Sequence, residues 1–134
     1  VCSSDLKPAV QVFAAEPETA APFDASLRNG RPSIFEAWTP SFVDGAGGKS
    51  VLPGMWPLLS QLAGSIVVPL ADAAAAMALV AERCHVIAEG AAACAVAAAL
   101  TGRARGTIVA IVSGGNIDLR TFASLVGACP TTDN

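Results

Sequence analysis

The sequence is poor in charge and in the residues that build common metal and nucleic-acid sites. Only 14% of its 134 residues are Asp, Glu, Lys or Arg, and the formal net charge is −3. There is no basic stripe, which argues against nucleic acid as a partner. No polybasic segment flanks an apolar run, which argues against attachment to a membrane surface. The alanine-rich, uncharged run Gly90 to Gly102 falls short of the roughly 20 residues needed to cross a bilayer. The first residues do not read as a signal peptide. Histidine occurs once, as His85, and none of Cys2, Cys84, Cys94 and Cys129 forms a CxxC pair. Spacing therefore assembles no zinc site. Lysine occurs only as Lys7 and Lys49.

What the chain has instead is apolar surface. The hydrophobic fraction is 53%, above that of an average soluble domain, and much of the excess is alanine in two runs. Such a composition suits a domain that rests against another domain or subunit. The cysteine usage suggests a reduced, cytoplasmic protein, with Cys84 and Cys94 acting as small buried hydrophobes in alanine-rich helices.

Residues 1–6, Val-Cys-Ser-Ser-Asp-Leu, fit nothing that follows. They match one reading frame of a widely used sequencing adapter. They are expected to be read-through, with the natural protein continuing upstream. Val10 to Ala14 reads as a short strand ending at Glu16-Pro17. Thr19 to Asn29 reads as a helix stopped by Gly30. Residues 30–54 form a Pro- and Gly-rich loop long enough to suggest a role of its own. Trp56 to Leu62 suggests a short helix. Ser65 to Leu70 suggests a strand, at an edge or near its end because of Pro69.

Asp72 to Cys84 has helical periodicity, with Met77, Val80, Ala81 and Cys84 as the core stripe. Ala91 to Leu100 is a second helix, apolar all round and hence buried. Thr107 to Val112 carries no charge and suits a central parallel strand. Leu119 to Val126 closes as a helix, and residues 129–134 form a tail. The order predicts an α/β fold: a partial, mainly parallel sheet of about three strands flanked by helices, part of a larger sheet.

The segment Thr107 to Asp118 carries the most information. An apolar strand enters Ser113-Gly114-Gly115-Asn116 and then a helix. Ligands of open α/β sheets sit at the carboxyl ends of strands. Two glycines there let the backbone and one small hydroxyl approach a flat ligand closely. A tight turn with a serine or asparagine helix cap accounts for the same residues.

Four separated motifs occur in order: Ala15-Glu16-Pro17-Glu18-Thr19-Ala20, Phe42-Val43-Asp44-Gly45, Val86-Ile87-Ala88-Glu89-Gly90-Ala91 and Val112-Ser113-Gly114-Gly115-Asn116-Ile117-Asp118. Together they resemble the C-terminal part of the threonine/serine dehydratases (ammonia-lyases). Those are pyridoxal-phosphate-dependent enzymes of fold type II, the tryptophan synthase beta-like group. The resemblance covers residues 7–128 and makes them the C-terminal part of a catalytic domain.

It implies pyridoxal 5'-phosphate as cofactor and a small hydroxy amino acid as substrate. The intact protein would then be a homo-oligomer. Ser113 matches the hydroxyl that holds the cofactor's pyridine nitrogen, with Gly114 in the turn beside it. Gly45 matches a segment passing close to cofactor and substrate, and Glu89 a carboxylate near the ring. A racemase or a hydroxyaspartate ammonia-lyase shares these motifs, and a non-catalytic ligand-binding relative is a further alternative.

The chain departs from the family pattern in three ways. The lysine that forms the Schiff base, and the glycine-rich phosphate loop, have no counterpart here. No catalytic residue is therefore assigned, and the polypeptide alone is expected to be inactive. Lys49 reads as a solvated loop charge. Ala92 stands where the family usually has a second glycine. Some relatives bind a divalent cation through positions matching Glu16, Ala20 and Pro22. Proline offers no carboxylate, so no metal is expected, and Glu16 reads as a strand-end charge.

Overall fold

The computed structural model describes residues 9–128. The proposed adapter residues and the tail at 129–134 lie outside the described residues.

Among the described residues, two strands pair in parallel, β1 (Phe13–Pro17) and β2 (Gly64–Val68), in register from Phe13 opposite Gly64 to Pro17 opposite Val68. The expected first strand thus begins later and runs through Glu16-Pro17. Pro17 closes it, where a missing N–H does least harm. Five helices accompany the sheet: α1 (Pro22–Asn29), α2 (Trp56–Leu59), α3 (Leu70–Cys84), α4 (Gly90–Leu100) and α5 (Leu119–Gly127). Helix α1 starts later than Thr19, with Pro22 at its first position, where the lost N–H is an orphan anyway. Gly30 ends it in the left-handed conformation, φ 65°. Helix α2 stops at Leu59, short of Leu62, after a single 3₁₀ turn at Pro53–Met55.

The core lies where α4 packs on the sheet and α3 packs on α4. Met77, Val43, Val68, Ile66 and Cys94 fill it between alanines 73, 76, 93, 97 and 98. The alanines let the two helices approach closely, and each large side chain buried there contributes about 1.5–3 kcal/mol. Burial pushes the Cys94 thiol up to about 11, so it stays protonated and behaves as a hydrophobe.

The expected core stripe of α3 is correct for Met77 and Val80 but not at its end. Cys84 is exposed and Ala81 half-buried. The last turn of α3 overhangs an open apolar cleft of about 390 Å³, which Cys84 lines with Leu79, Val86, Val96 and Val112. Helix α4 is also not buried all round: Leu100 at its end is exposed. Among the described residues, no helix is long and apolar enough to cross a membrane.

The largest correction concerns Thr107 to Val112. The segment makes no strand pairing, and Val109 and Ile111 are 82% and 71% exposed. A parallel strand is stabilised by ladders on its flanks and cover on its faces. Neither reaches this segment from the described residues, so its apolar side chains stand in solvent.

Candidate functional site

The site forms where three connections meet in front of α4. The first is the loop Phe42–Gly48. Val43 is buried in the core, which anchors the loop. The Gly47 amide then donates to the Asp44 carbonyl at 2.9 Å, closing a tight turn. The Trp38 indole N–H donates to the Gly47 carbonyl at 2.8 Å and pins that turn from outside. Lys49 sits over the Trp38 ring, 4.0 Å from its centroid. This expected loop charge is therefore held by a cation–π contact, a partner with no sequence signal of its own.

The second connection is Val86–Glu89, leading into α4. Glu89 is the residue before Gly90, the first of the helix. A carboxylate there faces the positive end of the helix dipole. Gly90 has no room for a side chain: a Cβ would stand 2.9 Å from Phe42 Cδ2 and 3.0 Å from Val43 Cγ2. The Glu89-Gly90 motif and the Phe42-Val43 motif are thus pressed face to face.

The third is the turn Ser113–Asp118. The Glu89 amide donates to the Gly114 carbonyl at 3.1 Å. Neither Gly114 nor Gly115 has positive φ, so both are required by space. A Cβ on Gly114 would stand 2.5 Å from Glu89 Oε1, and one on Gly115 would run into the Ile87 carbonyl. Gly45 approaches from the other side, its notional Cβ 3.3 Å from Glu89 Oε1 and 3.1 Å from Ala91 Cβ. Gly45 and Gly114 therefore converge on the Glu89 carboxylate, and Ser113, the residue before Gly114, is exposed to solvent. The α5 cap is neither Ser113 nor Asn116. It is Asp118, whose Oδ1 accepts from the Arg120 and Thr121 amides, each at 3.0 Å. These bonds, that to Thr121 first, hold the Asp118 carboxyl below its ordinary value.

Ala92 does not face this site. It is buried against Val80 and Ala88, so its methyl is a packing feature.

The first motif lies apart, and its glutamates cap helices. Glu16 is 8% exposed, not a solvated strand-end charge. Its Oε1 accepts from the Phe23 amide at 2.8 Å. Its Oε2 accepts from the Asp24 amide at 2.8 Å and from the Ser65 hydroxyl at 2.6 Å. Glu18 Oε1 accepts from the Leu70 amide at 2.9 Å, at the start of α3. Reasoning from sequence misses Ser65 and both caps. A β-branched strand gives no hint that one of its serines reaches a strand 49 positions earlier.

The arrangement brings two glycines against one carboxylate, with one exposed hydroxyl adjacent in sequence. The space a Cβ would fill at Gly45 and Gly114 is taken by the Glu89 carboxylate, so a planar group such as the ring of pyridoxal phosphate would meet that carboxylate and the Ser113 hydroxyl rather than an empty slot. No lysine among the described residues is placed to anchor it, because Lys49 is engaged with Trp38.

Known proteins share the fold. A search of curated sequences gives no match. Among solved structures, the T.th. threonine deaminase superposes with a TM-score of 0.80 at 30% identity, over 86% of this chain and 42% of that one. Maize serine racemase gives 0.81 at 27% identity, over 91% and 41%. Serine racemase from Dictyostelium discoideum gives 0.76 at 30% identity, over 87% and 38%. The chain thus spans about two fifths of the length of these relatives. Residues 3–114 match the family described as pyridoxal-phosphate dependent enzyme, and the chain belongs to that family.

Proposed function

We propose that this chain forms the ring-holding part of a threonine/serine ammonia-lyase. The reaction removes water from a β-hydroxy amino acid and then releases ammonia, leaving a 2-oxo acid. The observation that carries the reading is the convergence of Gly45 and Gly114 on the Glu89 carboxylate, next to Ser113. Pyridoxal phosphate, when bound, supplies a sink for the electrons freed at the substrate's Cα.

The chain's own residues would set how strong that sink is. The Ser113 hydroxyl is neutral and can donate or accept. Unlike a carboxylate, it does not force the pyridine nitrogen to stay protonated, and the weaker sink favours prompt loss of the β-hydroxyl. Gly114, with no side chain, lets the backbone come close to the ring edge. Glu89, tied through its amide to Gly114, fixes a negative charge near the ring edge. Gly45 closes the opposite side. The proton on Cα would be handled by a lysine, for which the described residues supply no candidate.

An amino-acid racemase is the second reading, favoured by the two serine racemase structures, the maize one superposing as well as the deaminase. The same wall would then serve removal and return of one proton. The substrate in either case is a small amino acid. Homo-oligomerisation, with the exposed apolar surface covered, and a cytoplasmic setting complete the proposal.

Incubating the complete enzyme with pyridoxal phosphate and L-threonine or L-serine separates the readings. A lyase forms 2-oxo acid and ammonia. A racemase forms the D-amino acid. Formation of neither product would leave a ligand-binding relative and refute the enzymatic reading.

A further inference from the structure

We infer that Glu16 is a helix-capping carboxylate occupying the place of a cation site, and that the protein needs no divalent cation there. Helix α1 begins with two residues that cannot cap it. Ala21, at the cap position, has no side-chain acceptor, and Pro22 follows with no N–H. The orphan amides of Phe23 and Asp24 are taken by Glu16, one on each carboxylate oxygen, and Ser65 adds a third donor.

Every one of these donors points a positive hydrogen at the oxygens that a metal ion would need. The positive end of α1 faces them too and opposes a second positive charge. Magnesium or calcium also wants six or more oxygen ligands. Position 22 supplies a proline, and Glu18 is turned to the start of α3. Among the described residues, no three of His, Cys, Asp and Glu gather so as to hold a metal ion. The residues do not fit a cation; they fit a helix start. The inference stands on Glu16 and its donors, whichever reaction the enzyme runs.

The test is thermal melting and calorimetric titration of the complete protein, in EDTA and with magnesium, calcium or manganese chloride. The expected result is the same Tm in EDTA and in each cation, with no saturable heat. Glu16→Gln and Ser65→Ala should each lower Tm by an amount that does not depend on the cation. A ligand bound only by the folded state must raise Tm with its concentration. A saturable rise that EDTA reverses and Glu16→Gln removes would overturn the inference. A rise that survives Glu16→Gln arises elsewhere and leaves Glu16 as a cap. Should Glu16→Gln fail to fold, the unsubstituted protein decides: saturable cation binding overturns the inference, and its absence upholds it.

Discussion

The Glu89 amide donates to the Gly114 carbonyl at 3.1 Å, and the Glu89 carboxylate fills the space where a Gly114 side chain would stand. One residue thus holds the turn from both its backbone and its side chain. Two segments 25 positions apart are locked at the point where Ser113 is presented.

The two glycines of that turn should respond differently to alanine. At Gly114 the obstacle is the far end of a flexible glutamate, which can swing away. Gly114→Ala should fold with nearly native stability and bind pyridoxal phosphate several-fold more weakly. At Gly115 the obstacle is the Ile87 backbone carbonyl, which cannot move alone. Gly115→Ala should lose stability, by about 1–3 kcal/mol as for other overpacked sites. Urea denaturation and cofactor titration of both variants check the contrast. Equal stability losses would contradict it.

The described cysteines should differ sharply towards alkylation. Cys84 is exposed, whereas Cys94 is buried with its thiol pushed up to about 11. At neutral pH iodoacetamide should label Cys84 in the native protein and reach Cys94 only after unfolding. Peptide mass mapping reads the order. Early labelling of Cys94 would place it outside the core.

Acid should loosen the start of α5. The Asp118 carboxyl lies below its ordinary 3.8 because the Thr121 and Arg120 amides donate to it. A depressed carboxylate contributes stability that is fully present above the unfolded value and lost as pH falls through the folded one. Asp118→Asn keeps an acceptor oxygen but does not titrate. The native chain should be the more stable of the two above pH 3.8, and the difference should fade below it. A difference that persists in strong acid would contradict this.

Legibility in the sequence follows the range of the interactions. Helix α3 is readable because Met77 and Val80 repeat with the helix's own period. The Gly30 stop is readable because the left-handed conformation favours glycine. Cys84 continues the same period and yet is exposed. Periodicity reports a face of the helix and not how far the neighbouring layer extends beneath it. Thr107 to Val112 has the composition of a strand without forming one, for a related reason. A strand exists only with partners, and its composition states a preference that the described residues do not satisfy. At the site, motifs name Gly45, Glu89 and Gly114, but their meeting at one carboxylate is visible only in three dimensions. The Glu16–Ser65 bond and the Trp38–Lys49 contact join residues whose local sequence carries no sign of the partner.

The central claim is that the Ser113 turn seats the ring end of pyridoxal phosphate. Its most direct test is spectrophotometric cofactor titration of the complete enzyme against Ser113→Ala, with 2-oxo acid formation from threonine measured in parallel. Loss of one hydrogen bond, about 1 kcal/mol, corresponds to roughly a fivefold weaker Kd. The expected result is that weakening, with altered cofactor absorbance and reduced turnover. Unchanged absorbance, affinity and turnover in Ser113→Ala would contradict the account.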